Sequence, residues 1–298
     1  MLNFLILKII KVSFCITLSR GVYMKISKSF VKIAVLLSLA ALSSQAIADE
    51  AYDIVKKSVS IPAPDSSMTK LVATNIEKSG IKSEVTINQF GRKENELIDT
   101  VFDIKGPATF KGTRLLQQDR GKKEDDRWIY DNKLKQVRRI QMNDRTKSFV
   151  GTEFTYNDIA LRNVDADKHE LISSNEQVVI PNGKTYKSCW KIKSTPLKKS
   201  EVEYSYRIQY IDKETYLPAK IEYFDKKDKS KLMKVYTTEE WVYLTSKTGK
   251  QYIMRMRAKI FNNITGRQTI LEIKEPVMDA SVSGLYFTQQ YLQTGRAK

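Results

Sequence analysis

Tyr204-Ser205-Tyr206-Arg207-Ile208-Gln209-Tyr210-Ile211 is the stretch that decides the fold. Successive side chains of a strand point to opposite faces. Tyr204, Tyr206, Ile208 and Tyr210 therefore share one apolar, aromatic face, and Glu203, Arg207 and Gln209 point the other way, as in an antiparallel sheet wet on one side. Working outward, the same pattern recurs at Leu97 to Ile104, Thr113 to Gln118, Arg127 to Tyr130 and Gln136 to Met142. It returns at Thr185 to Lys193, Ala219 to Phe224, Leu232 to Leu244, Gln251 to Phe261 and Gln268 to Ile273. Turn signals separate these runs: Gly106-Pro107, Asp119-Arg120-Gly121, Pro181-Asn182-Gly183, Asp225 to Lys229 and Lys247 to Lys250. About ten antiparallel strands in one run predict a mainly β protein with a large curved sheet or barrel.

Two segments break the rhythm. Ala51, Ile54, Val55 and Ser58 share a helical face over Glu50 to Ser58, and Ile61-Pro62-Ala63-Pro64 stops that helix. Met68 to Ile76 fits either period, but Ser79-Gly80 and the run Ile81 to Ile87 favour strand-turn-strand. Between Phe149 and Leu161 the chain is aromatic and keeps no two-residue period; Asn157-Asp158 predicts a short helix ending near Arg162, packed on the concave side of the sheet. No repeat, low-complexity tract or Gly/Ser/Pro-rich linker divides residues 49–298, which read as one domain.

The front of the chain bounds the compartment. Met24, Lys25, Lys28 and Lys32 make a basic start, Ile33 to Leu42 an apolar run, and Ala46-Ile47-Ala48 a small-x-small cleavage site before Asp49. Residues 24–48 therefore read as a secretory signal peptide. Residues 1–23, with Lys8 and Lys11 inside an apolar run, read as an over-long start rather than a membrane anchor. The expected location is the periplasm or the periphery of a membrane, which removes nucleic acid as a default partner. The 298 residues carry a formal charge of +17, of which residues 1–48 contribute six Lys/Arg and no Asp/Glu, so the mature chain stands at +11. Its anionic partners in that compartment are membrane surfaces and acidic protein faces; spread lysines also serve solubility and guard strand edges.

The reactive inventory is small. Cys189 is the one cysteine left after cleavage and reads as a buried structural thiol; His169, the one histidine, reads as a solvated loop residue. No metal cluster, cofactor motif or nucleophilic triad is present in the sequence, and Glu124-Asp125-Asp126 and Glu239-Glu240 read as solvated faces. A non-enzyme without cofactor is expected.

Against that background the order of several pieces resembles the outer-membrane lipoprotein-sorting (LolA-like) family, in a branch of undefined function. The pieces are Phe102-Asp103 with Gly106-Pro107, Lys111-Gly112-Thr113 with Leu115-Leu116, Trp128-Ile129-Tyr130, Val137-Arg138-Arg139-Ile140, and Ser148 to Asp158; looser similarity continues through Ile211-Asp212-Lys213 and Leu217-Pro218-Ala219-Lys220. Asp131-Asn132 stands where the family often has a proline, and Val150-Gly151-Thr152 where it often has Met-Gly-Ser. The resemblance implies an unclosed antiparallel β-barrel whose concave face is covered by helices. It also implies a periplasmic carrier or chaperone that holds acyl chains of a lipid or lipid-modified protein, working with a membrane exporter. The alternative is an accessory or sensor protein that uses the same fold to bind another protein.

Acyl chains are held by apolar area withdrawn from water. Candidates to line the hollow are Phe102, Trp128, Tyr130, Phe149, Phe154, Tyr156, Tyr206, Tyr210 and Trp241, each also fit for ordinary core. Arg138 and Arg139 are adjacent in a strand, so one of them is expected to face the covered side, where it meets either a lipid phosphate or carbonyl or an internal partner such as Glu153 or Asp158.

Overall fold

The computed structural model describes residues 49–121 and 123–297; the expected signal peptide (24–48) and extension (1–23) lie outside the described residues. Thirteen strands form one sheet: β1 (Ser66–Ile76), β2 (Lys82–Glu94), β3 (Leu97–Gly106), β4 (Arg114–Gln118), β5 (Asp126–Asp131), β6 (Gln136–Arg139), β7 (Asp167–Val179), β8 (Thr185–Pro196), β9 (Tyr204–Asp212), β10 (Pro218–Asp225), β11 (Leu232–Thr245), β12 (Gln251–Asn262) and β13 (Gln268–Met278). The order across the sheet is β6-β5-β4-β3-β2-β1-β13-β12-β11-β10-β9-β8-β7, every neighbouring pair antiparallel. The first and last strands pair in the middle, and β6 and β7 are unpaired edges, so the barrel is unclosed. Met68 to Ile76 resolves as strand β1, hairpinned to β2.

This topology dictates what covers the sheet. β6 and β7 are consecutive in sequence but lie at opposite edges, so residues 140–166 must cross one face to connect them. That crossing strap defines the inner, concave face. Phe149 and Val150 of the strap pack on Leu71, Val85, Ile87, Phe102, Ile104 and Leu115, and Phe154 packs on Tyr204, Ile221, Tyr223, Tyr236 and Ile260. Helix α1 (residues 49–59) covers another part of the inner face, laying Ala51, Ile54 and Val55, at helical spacing, on Ile192 and Ile211. On the outer face the C-terminal segment covers β2 to β5: Phe287 and helix α2 (Gln289–Thr294), with Tyr291 and Leu292, pack on Phe90, Val101, Leu116 and Tyr130.

Three expectations are corrected. Residues 157–162 form no helix; the strap is a chain of turns with short 3-10 turns at Met142–Asp144 and Val164–Ala166. Asp158 accepts from the Thr155 amide (2.7 Å) and hydroxyl (2.9 Å), and the backbone bonds that follow, Ile159 to Thr155 and Ala160 to Asn157, are long at 3.3 and 3.4 Å, so the segment stays a series of turns. His169 is a buried residue of β7, a strand hidden in the sequence by its polar composition. β9 is not wet on one side: Arg207, Gln209 and Ile208 are all buried. A register shift opposite Phe224 and Asp225 also turns Tyr204 away from its alternation partners, so that it joins the inner cluster while Tyr206, Ile208 and Tyr210 join an outer one.

Candidate functional site

The strap does not fill the space it spans. Between it and the inner face lie two adjoining cavities of about 200 and 430 Å³, the larger in the size range of small-molecule sites. The smaller is lined chiefly by apolar side chains, among them Leu71, Ile87, Phe102, Phe149, Phe154 and Leu271. The larger opens past the end of α1, along Val59, Ile61 and Pro62, and its wall is mixed, with Arg162, Arg207, Tyr223 and Ile253. Phe102, Asp158, Ile159, Tyr236 and Arg255 line both, so the two cavities form one hollow with an apolar inner end and a polar outer end.

Ionic contacts fix the strap above the hollow. Lys234 of β11 reaches Asp158 (2.6 Å) and Glu203 (2.7 Å), with its side chain only 4% exposed. Burial alone would lower the pKa of this ammonium; Asp158 and Glu203 outweigh it and hold the pKa above its ordinary value. Arg127 of β5 donates to the Tyr156 carbonyl (3.0 Å) and to Asn157 Oδ1 (3.2 Å). Burial lowers its pKa to about 10, so it remains a cation at neutral pH. Glu153 is held by Arg267 (3.2 Å) and by Asn262 Nδ2 (2.7 Å). The strap's sharpest bend is at Val150 and Gly151, with φ of 43° and 80°; a Cβ on Gly151 would stand 3.1 Å from the Phe110 ring, so both conformation and space require glycine there.

A second buried network stands behind the polar end. Asp167, its side chain fully buried, receives a two-pronged contact from Arg162 (2.9 and 2.5 Å) and one from Arg207 (3.2 Å). Burial would raise the pKa of this carboxyl, but the two guanidinium groups outweigh it and keep it below the usual range. His169 places Nε2 2.9 Å from the Val164 carbonyl and Nδ1 2.8 Å from Ser194 Oγ. A carbonyl only accepts, so Nε2 carries the proton and Nδ1 accepts from the hydroxyl. Burial lowers the histidine's pKa, which favours this neutral form.

The hollow brings together Phe102, Phe149 and Phe154, with Tyr156 edge-on to Phe149 at 5.7 Å. Trp128 and Tyr130 pack in the outer cluster under the C-terminal segment. Tyr206, Tyr210 and Trp241 belong to another cluster outside the hollow, where lysines cover their rings: Lys193 over Tyr206 (4.8 Å), Lys220 over Tyr210 (4.2 Å) and Lys184 over Trp241 (5.1 Å). Neither Arg138 nor Arg139 faces a covered side: both are exposed on the short edge strand β6 and pair with Asp144 (3.3 Å) and Asp126 (2.8 Å). The alternation argument fails there because β6 is a short edge strand: α2 packs on it at Val137 and leaves both arginines in solvent. The basic groups that do line the hollow are Arg92, Arg162, Arg207 and Arg255, which strand alternation did not single out. For Arg255 the reason is a bulge. Arg257 and Arg255 of β12 stand opposite the consecutive residues Glu240 and Trp241 of β11. Arg257 therefore points outward to Glu272 (3.0 Å), while Arg255 turns inward to Tyr236. Cys189 is fully buried, and burial pushes its thiol up to about 12.

Residues 97–294 match the model of a family described as "Uncharacterized protein". The chain belongs to that family. No curated protein matches it. Among solved structures it is similar to a domain described as an outer membrane lipoprotein-sorting protein domain from Vibrio parahaemolyticus, with 19% identity, 83% of this chain and 99% of the other covered, and a TM-score of 0.70. It is likewise similar to a DUF1329 family protein from Desulfovibrio piger, with 21% identity, 83% and 99% coverage and a TM-score of 0.71. A LolA superfamily protein from Nitrosomonas europaea is similar at 16% identity, 83% and 98% coverage and a TM-score of 0.55. The fold is thus the LolA-like unclosed barrel.

Proposed function

We propose that this family member is a periplasmic carrier or chaperone, a single domain over residues 49–298, that shelters the acyl chain of a lipid or lipid-modified protein in the hollow and catalyses no reaction. The observation that carries the reading is the hollow itself. Large side chains line its inner end, the strap stands off the sheet instead of filling it, and the polar end opens past α1. An accessory protein that only bound other proteins would not need this unfilled apolar space, since filling it would stabilise the fold. The signal-peptide pattern of residues 24–48 supports export, and the fold shared with a lipoprotein-sorting domain supports the cargo class. A membrane exporter as donor or acceptor, and an anionic membrane surface as the place of exchange, fit the charge of +11 on the mature chain.

The test is native mass spectrometry of protein purified from the periplasm, together with titration by a fluorescent fatty-acyl probe. Ala258, which lines the inner cavity, is replaced by Phe to occupy that space. Co-purified lipid and saturable probe binding in the wild type, reduced at least about tenfold in a folded Ala258→Phe variant, are expected. A wild type that binds no acyl probe defeats the reading.

A further inference from the structure

Every other basic side chain that lines the hollow already has a carboxylate. Arg162 and Arg207 share Asp167, and Arg92 is held by Asp99 at 2.8 Å. Arg255 does not. Its one hydrogen bond runs from Nη1 to the Tyr236 hydroxyl (3.0 Å), and among the described residues no carboxylate stands within salt-bridge distance. The side chain is solvent-accessible and lines both cavities where their apolar and polar ends meet, so a ligand in the hollow reaches it. A guanidinium has five N–H donors, and most of those of Arg255 are uncommitted.

We propose that Arg255, with Tyr236 beside it, is an anion-receiving subsite inside the hollow. The ligand it fits is an amphiphile whose chain enters the inner cavity and whose carboxylate or phosphate head pairs with this guanidinium. The inference rests on the carrier reading and adds the head group and its orientation, charged end at the cavity junction and not in bulk water. The physical reason is a matter of what the chain displaces. In the empty hollow, water solvates the cation. An acyl chain expels that water, and a cation left without solvent or partner is costly. A neutral head therefore strands Arg255, a cationic head adds repulsion, and an anionic head removes the penalty through charge-assisted hydrogen bonds. The bulge that turns Arg255 away from the side of Arg257 has no other partner to serve on the inner face, where Tyr236 alone receives the side chain.

The experiment titrates the exported, purified protein with amphiphiles of equal chain length: a fatty acid, an alkyl phosphate, a fatty alcohol and an alkyltrimethylammonium ion. Acetate and inorganic phosphate serve as tailless anions. The expected wild-type result is binding of one or both anionic amphiphiles at least about tenfold tighter than the alcohol, the fold-change of a charge-assisted hydrogen bond, with little binding of the tailless ions. Arg255→Met, whose stem keeps the packing, is expected to remove the preference from both sides, weakening the anionic amphiphiles and tightening the alcohol, which no longer strands a cation, and Arg255→Lys to retain part of the preference. A wild type that binds all four heads equally overturns the subsite and leaves the carrier reading standing. A wild type that binds none of them defeats both. Tailless anions binding as tightly as the tailed ones overturn the amphiphile assignment, and a preference that survives in folded Arg255→Met overturns the role of that residue. The wild-type series needs no variant, so it decides the matter even where a substitution impairs folding.

Discussion

Strands β1 to β4 and strands β8 to β11 present different chemistries to the same strap. The first group offers Leu71, Ala73, Val85, Ile87, Phe102, Ile104 and Leu115, and the strap answers with Phe149 and Val150. The second group offers Arg207, Gln209 and Lys234 beside tyrosines, and the strap answers with Asp158. The apolar contact is non-directional and leaves room, which is why the smaller cavity sits beside it. The ionic contact is directional and closed, with both acids within 2.7 Å of one ammonium. The division teaches that the strap is held by apolar contact on one half of the sheet and pinned by buried charge on the other, while the hollow runs along both, and substitutions can separate the two kinds of contact.

The largest expected effect is at Lys234. Lys234→Ala leaves Asp158 and Glu203 buried without their cation, at a cost of about 3–5 kcal/mol. Thermal or urea unfolding checks it, and a double-mutant cycle with Asp158→Asn is expected to show strong coupling. A loss under about 1 kcal/mol would mean that water already reaches the pair and that the ionic half does not hold the strap.

Next comes Phe149→Ala, on the apolar half, with an expected loss of about 3 kcal/mol from transfer and cavity terms. Here the comparison sharpens. The substitution enlarges the inner cavity and touches no ionic contact, so the folded variant is expected to keep acyl-probe binding that the Lys234 variant weakens by loosening the strap. Equal effects of both variants on binding would erase the division between the halves.

How much of this was legible in the sequence follows the same line. Where the period-two pattern is set by apolar residues, as in β3, β8 and β9, strands could be read directly and the curved sheet with them. Phe102 could be placed in the hollow for that reason, and Phe149 and Phe154 because their aromatic segment breaks the strand period and is expected to pack on the concave side. β7 escaped because its inward residues include Asp167 and His169, polar groups whose burial depends on Arg162, Arg207, Ser194 and Val164, partners no local pattern reveals. Arg255 and Tyr204 escaped because bulges invert the alternation from which facing is inferred. Trp128, Tyr130, Tyr206 and Tyr210 look like cavity lining in sequence because an aromatic residue under the C-terminal segment or under a lysine stem has the same pattern as one under a ligand.

A smaller effect, and one confined to the ionic half, is expected from pH. The folded-state pKa of His169 lies below its unfolded value near 6.5, because burial disfavours the charged ring. The unfolded chain therefore binds the proton more readily. The stability tied to this group is fully present above the unfolded value and is lost as pH falls from there toward the folded value. Melting temperature is expected to fall between neutral pH and pH about 5, and His169→Gln to flatten that part of the profile. A variant profile that tracks the wild type would assign the acid sensitivity to other groups.

The smallest expected effect is at Arg138 and Arg139. Both lie on edge strand β6, outside either half of the hollow, and each pairs across solvent with a carboxylate that is itself partly exposed. Such pairs contribute about 0–1 kcal/mol, because water screens the attraction and holding two long side chains in place costs entropy. Replacing either residue with Ala is expected to change stability by less than about 0.5 kcal/mol and to leave acyl-probe binding unchanged. The double variant provides the stricter check, since two adjacent cations removed from an edge strand would also reveal any tendency of β6 to pair with another chain. A binding loss in either single variant, with folding intact, would mean that the ligand reaches beyond the strap to the β6 edge. It would also mean that the boundary between hollow and outer surface lies elsewhere than the division of the inner face suggests.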